Sequence, residues 1–161
     1  TVLIADGYRK LYVHNFQNDS YGAAVHTTLT QLVKSEIDRR GRFIHTRDKS
    51  LSSFRLYGSV VHYQKVGNIV DAFGQHMSSE ISIVVKLEIQ ESVSGDKITL
   101  ERDEILARAY YSDQLGNRES EEQAQSRMLQ NLAYRISEES ENAWYYYVKE
   151  KHYKNVKLEK K

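Results

Sequence analysis

Between residues 81 and 89 the chain alternates: Ile81, Ile83, Val85, Leu87 and Ile89 take every second position, with Ser82, Lys86 and Glu88 among the residues between them. A period of two belongs to an extended strand whose successive side chains point to opposite faces. One face of this strand is therefore buried and the other mostly wet. Each aliphatic side chain removed from water contributes about 1.5–3 kcal/mol, so the row is held firmly against an apolar layer. A sheet with one apolar face needs a cover, and helices elsewhere in the chain must supply it. Ser94-Gly95-Asp96 then offers the small and turn-forming residues of a hairpin before Lys97-Ile98-Thr99-Leu100 resumes a strand-like pattern. Residues 76–111 are expected to form a long antiparallel hairpin at the centre of the fold.

The rest of the chain falls into place around that hairpin. Leu11 to Phe16 alternates and reads as a first strand, and Gln17-Asn18-Asp19-Ser20 as a turn and a source of helix caps. From Gly22 to Arg40 the apolar positions Val25, Leu29, Leu32, Val33 and Ile37 predict an amphipathic helix, closed by Gly41 with Arg39 and Arg40 in its last turn. Phe43 to His45 makes a short strand. Residues 54–66 make a second long strand with apolar groups on both faces, in which Gly58 marks a bulge or a close approach. The loop expected over Gly67 to Gln75 still carries Ile69, Val70 and Phe73, which makes it a candidate partner interface. After the hairpin, a last helix begins near Glu119 and carries Met128, Leu129, Leu132, Ala133, Ile136 and Trp144 on one stripe.

This order, strand-helix-strand-strand-strand-strand-helix, predicts an α+β two-layer sandwich. Two helices pack on one face of a mostly antiparallel four- to five-stranded sheet. A single domain spans residues 1–161, with residues 1–9 and the lysine-rich 150–161 expected to fray.

Chemistry is sparse. A net charge of +1 over 161 residues weighs against a general nucleic-acid binder, whose affinity comes from bases meeting phosphates. Without cysteine the chain has no disulfide, thiolate metal site or cysteine nucleophile. No apolar run approaches the roughly 20 residues that span a bilayer. Opening on Thr1 without a signal-like stretch, the chain reads as processed or trimmed. Its six histidines show no metal-ligand spacing, although His14 and His62 could face each other across strands. No glycine-rich phosphate loop or nucleophile elbow is present. Glu101, Asp103 and Glu104 form an acidic patch best read as a solvated strand face. Twelve tyrosines suit half-buried sheet faces and wet interfaces. The expectation is a binding module, not an enzyme, with no cofactor and no metal.

Several local runs, taken in order, resemble the lipopolysaccharide-assembly lipoproteins of the LptE-like family. Leu11-Tyr12-Val13-His14-Asn15-Phe16-Gln17-Asn18 before a helix with Leu29-Thr30-Gln31-Leu32 is similar to the family's opening strand and helix. Leu56-Tyr57-Gly58-Ser59-Val60-Val61-His62-Tyr63 resembles its next long strand and Ile81 to Ile89 its hydrophobic strand. Glu121-Glu122-Gln123-Ala124 with Leu129 and Leu132-Ala133 resembles its closing helix, so the likeness runs over about residues 7 to 140.

The resemblance implies a non-catalytic lipoprotein on the periplasmic side of the outer membrane. It would plug and stabilise the LptD β-barrel and assist insertion of lipopolysaccharide into the outer leaflet, with an LptD-like barrel and lipopolysaccharide as partners. The family's basic positions at the meander loop and before the last helix imply lipid-phosphate contacts. Arg118 matches the second; the first falls within Asp71-Ala72-Phe73, which holds no base, and Lys65 joins Arg118 as the candidate lipopolysaccharide contact. Asp6 stands before Gly7-Tyr8 where the family has its lipid-bearing cysteine, which puts the expected lipid anchor outside this chain. The competing reading is another periplasmic accessory lipoprotein domain, a cell-wall synthase activator or a secretion-assembly component. A soluble small-ligand domain is the more distant alternative.

Overall fold

The alternating run lies in β5 (His76–Glu91), and β4 (Phe54–Val70) pairs antiparallel along it from Phe54 opposite Glu91 to Val70 opposite His76. The structure, a computed structural model, describes residues 4–70, 76–112 and 120–151. On one side of this central pair, β1 (Lys10–Val13) runs parallel to β4 and, beyond it, parallel to the edge strand β3 (Ile44–His45). The chain leaving β1 returns to β4 as β2 (Gln17–Asn18), opposite Ser59 and Val60. On the other side, β6 (Lys97–Ile98) and β7 (Glu104–Tyr111) both lie antiparallel to β5. The α+β architecture is as expected, but the sheet is mixed: α1 (His26–Arg40) carries the chain from β2 to β3, so the strands it connects run parallel.

α1 and α2 (Glu121–Lys151) cover one face of the sheet. Into the layer between them β5 sends Ile81, Ile83, Val85, Leu87 and Ile89, all buried. Leu29, Val33 and Ile37 answer from α1, and Met128, Leu132, Ile136 and Trp144 from α2. Thr30 ties the layers together. Its hydroxyl accepts from the Phe16 amide at 2.9 Å, an N–H leaving the sheet, and donates to the His26 carbonyl at 2.7 Å.

The helix ends follow their sequence. Gly41 closes α1 at φ 68°, its amide donating to the Ile37 carbonyl at 3.2 Å. Ser120 and Gln123 open α2 with a reciprocal capping box, each side chain accepting from the other's amide. The expected cap reservoir at residues 17–20 does not serve α1, whose N-cap is Val25. Asn18 instead accepts from the amide and hydroxyl of Ser20. Trp144 to Tyr147 continue α2, which extends through Lys151. Asp6–Tyr8 form a turn of 3-10 helix, and the Trp144 indole donates to the Tyr8 carbonyl at 2.7 Å.

Three strand readings change. Gly67 to Val70 were expected in a loop but extend β4, because its register shifts between Val66, Ile69 and Val70 let the pairing continue past Gly67. Residues 97–111 do not form one partner strand: the chain leaves the edge after Ile98 and rejoins at Glu104, while the Leu87 amide donates to the Asp103 carbonyl at 2.7 Å. Apolar groups on both faces of β4 reflect a register shift between Val60 and His62. Before it Phe54, Leu56 and Val60 point to the helices; after it Tyr63 and Lys65 do, opposite Ile83 and Ile81. At Gly58 the close approach is real, since a Cβ there would sit 2.7 Å from the ring of Phe16. Ser94-Gly95-Asp96 forms the expected turn, with Gly95 at φ 73° and the Glu91 amide donating to the Asp96 carbonyl at 2.9 Å.

Candidate functional site

The distal half of the β4–β5 hairpin gathers most of the residues singled out by sequence. Because the bulge turns Tyr63 and Lys65 toward the helical side, both meet the first turns of α2. The Lys65 ammonium lies 2.8 Å from Glu121 Oε2, and the Tyr63 hydroxyl accepts from Gln125 Nε2 at 2.9 Å. Glu121, then the Tyr111 hydroxyl, holds the Lys65 ammonium above the ordinary lysine range. Gly22 lets the chain pass over Tyr63: a Cβ there would stand 2.6 Å from Tyr63 Cβ. Lys65 is therefore a paired cation with half of its side chain in solvent, not a bare one.

Ile69 and Val70 end β4, opposite Ser78 and His76. Phe73 and Arg118 lie outside the described residues. Sequence reasoning missed Glu121, Gln125, Tyr63 and Tyr111 as the surroundings of Lys65. The signal for them was present in the doubled Val60-Val61, which breaks the period of two and reverses the face of everything after it.

Across the sheet from the helices lies a face that neither helix covers. There Val66 and Tyr110 are exposed at the two sides of Glu80, and Leu106 is exposed opposite Val84. An Arg108–Glu80 ion pair of 3.6 Å runs between them. Along the outer edge of β7, arginines of α2 take up backbone carbonyls: Arg127 donates to Tyr110 O at 3.1 Å and Arg135 to Leu106 O at 2.6 Å. Guanidinium groups placed this way blunt an edge that would otherwise invite strand pairing.

The other candidate groups do not come together. His14 stacks on Tyr57 with ring centroids 4.1 Å apart, and burial, then Lys49 and Arg55, pushes its imidazole below the usual histidine range. His62 instead contacts Gln64 at 3.3 Å, so the two histidines do not face each other. Glu101, Asp103 and Glu104 are exposed where the chain rejoins the edge, and Glu139 of α2 accepts from the Arg102 amide at 2.9 Å. Among the described residues, no group of three or more histidines and carboxylates could hold a metal ion, and no helix is long and apolar enough to cross a membrane.

Two helices on one face of a mixed sheet, with the other face uncovered and a long hairpin braced by the start of α2, define a two-layer α+β domain. The model of the lipopolysaccharide-assembly family LptE matches residues 8–139. The chain belongs to that family. Among solved structures, a minor lipoprotein from Acinetobacter baumannii matches with a TM-score of 0.55 at 18% identity, over 84% of this chain and 94% of that one. A hypothetical protein from Chlamydia trachomatis matches with a TM-score of 0.55 at 6% identity, over 81% of this chain and 96% of that one. At these identities the likeness is one of fold. A comparison with curated proteins finds no match.

Proposed function

We propose that this domain is a non-catalytic lipopolysaccharide-assembly lipoprotein on the periplasmic side of the outer membrane, lipid-anchored through a residue outside this chain. In this reading it plugs and stabilises an LptD-like β-barrel and assists insertion of lipopolysaccharide into the outer leaflet. The observation that carries the proposal is the family match over residues 8–139, which runs from the start of the sheet into the second half of α2.

The hairpin suits a partner-facing role. Ile69 and Val70 bring apolar residues to its end, Phe73 follows in sequence, and Val66 and Tyr110 are exposed just below. Lys65 and Arg118 are the proposed contacts for lipid phosphates. For Lys65 that contact is an exchange, in which a phosphate replaces the Glu121 carboxylate. An exposed lysine–carboxylate pair contributes little to stability, so the exchange costs little.

The test is a pull-down from detergent-solubilised outer membranes of the native organism, with this domain as bait and mass spectrometry as readout. Recovery of a large lipopolysaccharide-translocon barrel in near one-to-one ratio is the expected result. Recovery of a cell-wall synthase or secretion component without a barrel overturns the reading in favour of another accessory domain.

A further inference from the structure

Two loop tips meet at the end of the sheet away from the hairpin. The short 3-10 turn Lys49–Leu51 leads into β4, and the turn through Val93 follows β5. Their flanks are tied together: the Ser92 amide donates to the Ser53 carbonyl at 2.8 Å, and the Ser52 and Ser92 hydroxyls lie 3.1 Å apart. At the tips Leu51 is 58% exposed and Val93 94%. Among the described residues these are the exposed large aliphatic side chains outside the strands, since Val66 and Leu106 stand on the sheet. Neither belongs to the core, and a small polar residue would serve a turn at either place.

The N-terminal segment leaves from this same end. Ser53 donates through its hydroxyl to the Gly7 carbonyl and through its amide to the Lys10 carbonyl at 2.9 Å. α2 finishes here too: the Tyr147 hydroxyl donates to Glu91, Lys151 lies 3.8 Å from Asp96, and Tyr146 is exposed beside the same turn. Phe54 and Glu91 close the β4–β5 pair at this end and Val70 and His76 at the other, roughly 50 Å away at strand rise. An anchor N-terminal to this chain therefore draws the two tips, and not the hairpin, toward a bilayer. Their shape suits one. A protein contact buries hundreds of Å² on each side, whereas the boundary between lipid headgroups and acyl chains accepts single protruding apolar side chains, with tyrosine at its wet margin. Lys49, Lys97, Lys149 and Lys151 stand against Asp48, Glu88, Asp96 and Glu150, so charge is even here and apolar burial decides the contact.

We propose that this end of the domain docks on a phospholipid bilayer, with Leu51 and Val93 inserted at the headgroup boundary and Tyr146 at its rim. The hairpin end is thereby aimed away from the membrane surface that holds the anchor. This inference rests on the reading of the chain as lipid-anchored and is independent of the barrel.

The chain holds no cysteine, so a single one can be placed and labelled with an environment-sensitive dye. The full chain carrying Leu51→Cys, Val93→Cys or, as control, Leu106→Cys is tethered by its N-terminus to vesicles of phosphatidylethanolamine and phosphatidylglycerol through a nickel-chelating lipid. Dyes at 51 and 93 should shift to the blue and be quenched by brominated acyl chains, while the dye at 106 does neither. Adding Val93→Ser to the chain labelled at 51 should lower its inserted-to-free ratio at least about threefold, because one apolar side chain fewer is buried. Circular dichroism establishes that each labelled chain is folded. Absence of both signals at 51 and 93 overturns the proposal, and so does equal quenching at 106 or an inserted fraction indifferent to Val93→Ser. Dyes that stay wet on vesicles and become shielded only in outer-membrane extracts assign the tips to a protein and overturn it as well. The mass of the native chain tests the anchor separately. An unacylated native chain overturns the anchor and the docking with it, while an acylated one whose tips stay wet loses only the docking.

Discussion

Arg40 and Glu141 meet in a two-pronged ion pair: Arg40 Nε lies 2.7 Å from Glu141 Oε1 and a terminal guanidinium nitrogen lies 2.8 Å from Oε2. Glu141 is 1% exposed, in the middle of α2, and Arg40 closes α1. The planar fork of an arginine matches a carboxylate in this geometry, so the pair fixes the register of the two helices that roof the sheet. Glu36 also approaches Arg40, and the Arg40 guanidinium lies 5.1 Å over the Tyr134 ring.

Replacing Glu141 with alanine leaves Arg40 facing a buried hole. The expected loss is about 1.5–3 kcal/mol, that of hydrogen bonds to a charged group, because Arg40 is 18% exposed and keeps Glu36 at 3.7 Å. Converting both residues to apolar ones of similar volume, Arg40→Met with Glu141→Leu, should recover most of it. Urea midpoints of the unaltered chain and of the two variants check this, and equal loss in the single and double variants would show that the pair carries no coupling.

Tyr147 gives the fold a dependence on alkaline pH. Burial first, and then its hydrogen bond to the Glu91 carboxylate, pushes the phenol up to about 12 from 10.0. A group whose folded pKa is raised lends stability that is complete below the unfolded value and disappears as pH rises through the folded one. That contribution is therefore present below pH of about 10 and lost by about 12. Tyr147→Phe should be less stable than the unaltered chain near neutral pH and should lose less stability on going from pH of about 9.5 to 11.5. Thermal melts of both across that window test the sign.

Gly58 and Phe16 make a knob and socket. A methyl group at 58 would press on a buried aromatic ring at 2.7 Å, so the ring or β4 must shift to admit it. Gly58→Ala is expected to cost about 1–3 kcal/mol, typical of overpacking. Adding Phe16→Leu should make the combined loss smaller than the sum of the two single losses. Strict additivity in denaturant melts would overturn the contact.

The same positions explain how far the fold could be read from sequence. Period-two runs and a glycine at Gly95 carry their meaning locally, so β5, the turn and the amphipathic stripes of both helices were legible. The parallel pairing of β1 with β3 and β4 was not, because parallel neighbours are set by where α1 lands and not by any pattern within the strands. Nor was the break at residues 99–103, where strand-like Thr99-Leu100 leaves the edge. At the hairpin, Lys65 was visible as a charge, but its pairing with Glu121 spans 56 positions and depends on the bulge between Val60 and His62.

The hairpin end supplies the sharpest test of partner capture. Ile69 and Val70 are the last apolar residues of β4, and Phe73 follows them in sequence. Changing all three to serine should weaken capture of the barrel while leaving thermal stability within about 1 kcal/mol, the usual range for residues outside the core. Among the β4 residues whose side chains are described, the buried apolar ones are Phe54, Leu56 and Val60, at the opposite end of the strand. A large fall in melting temperature would instead make these residues part of the packing. Undiminished capture by a stable triple variant would move the barrel contact elsewhere, with the exposed Leu106 and Tyr110 on the uncovered face of β7 the next residues to alter.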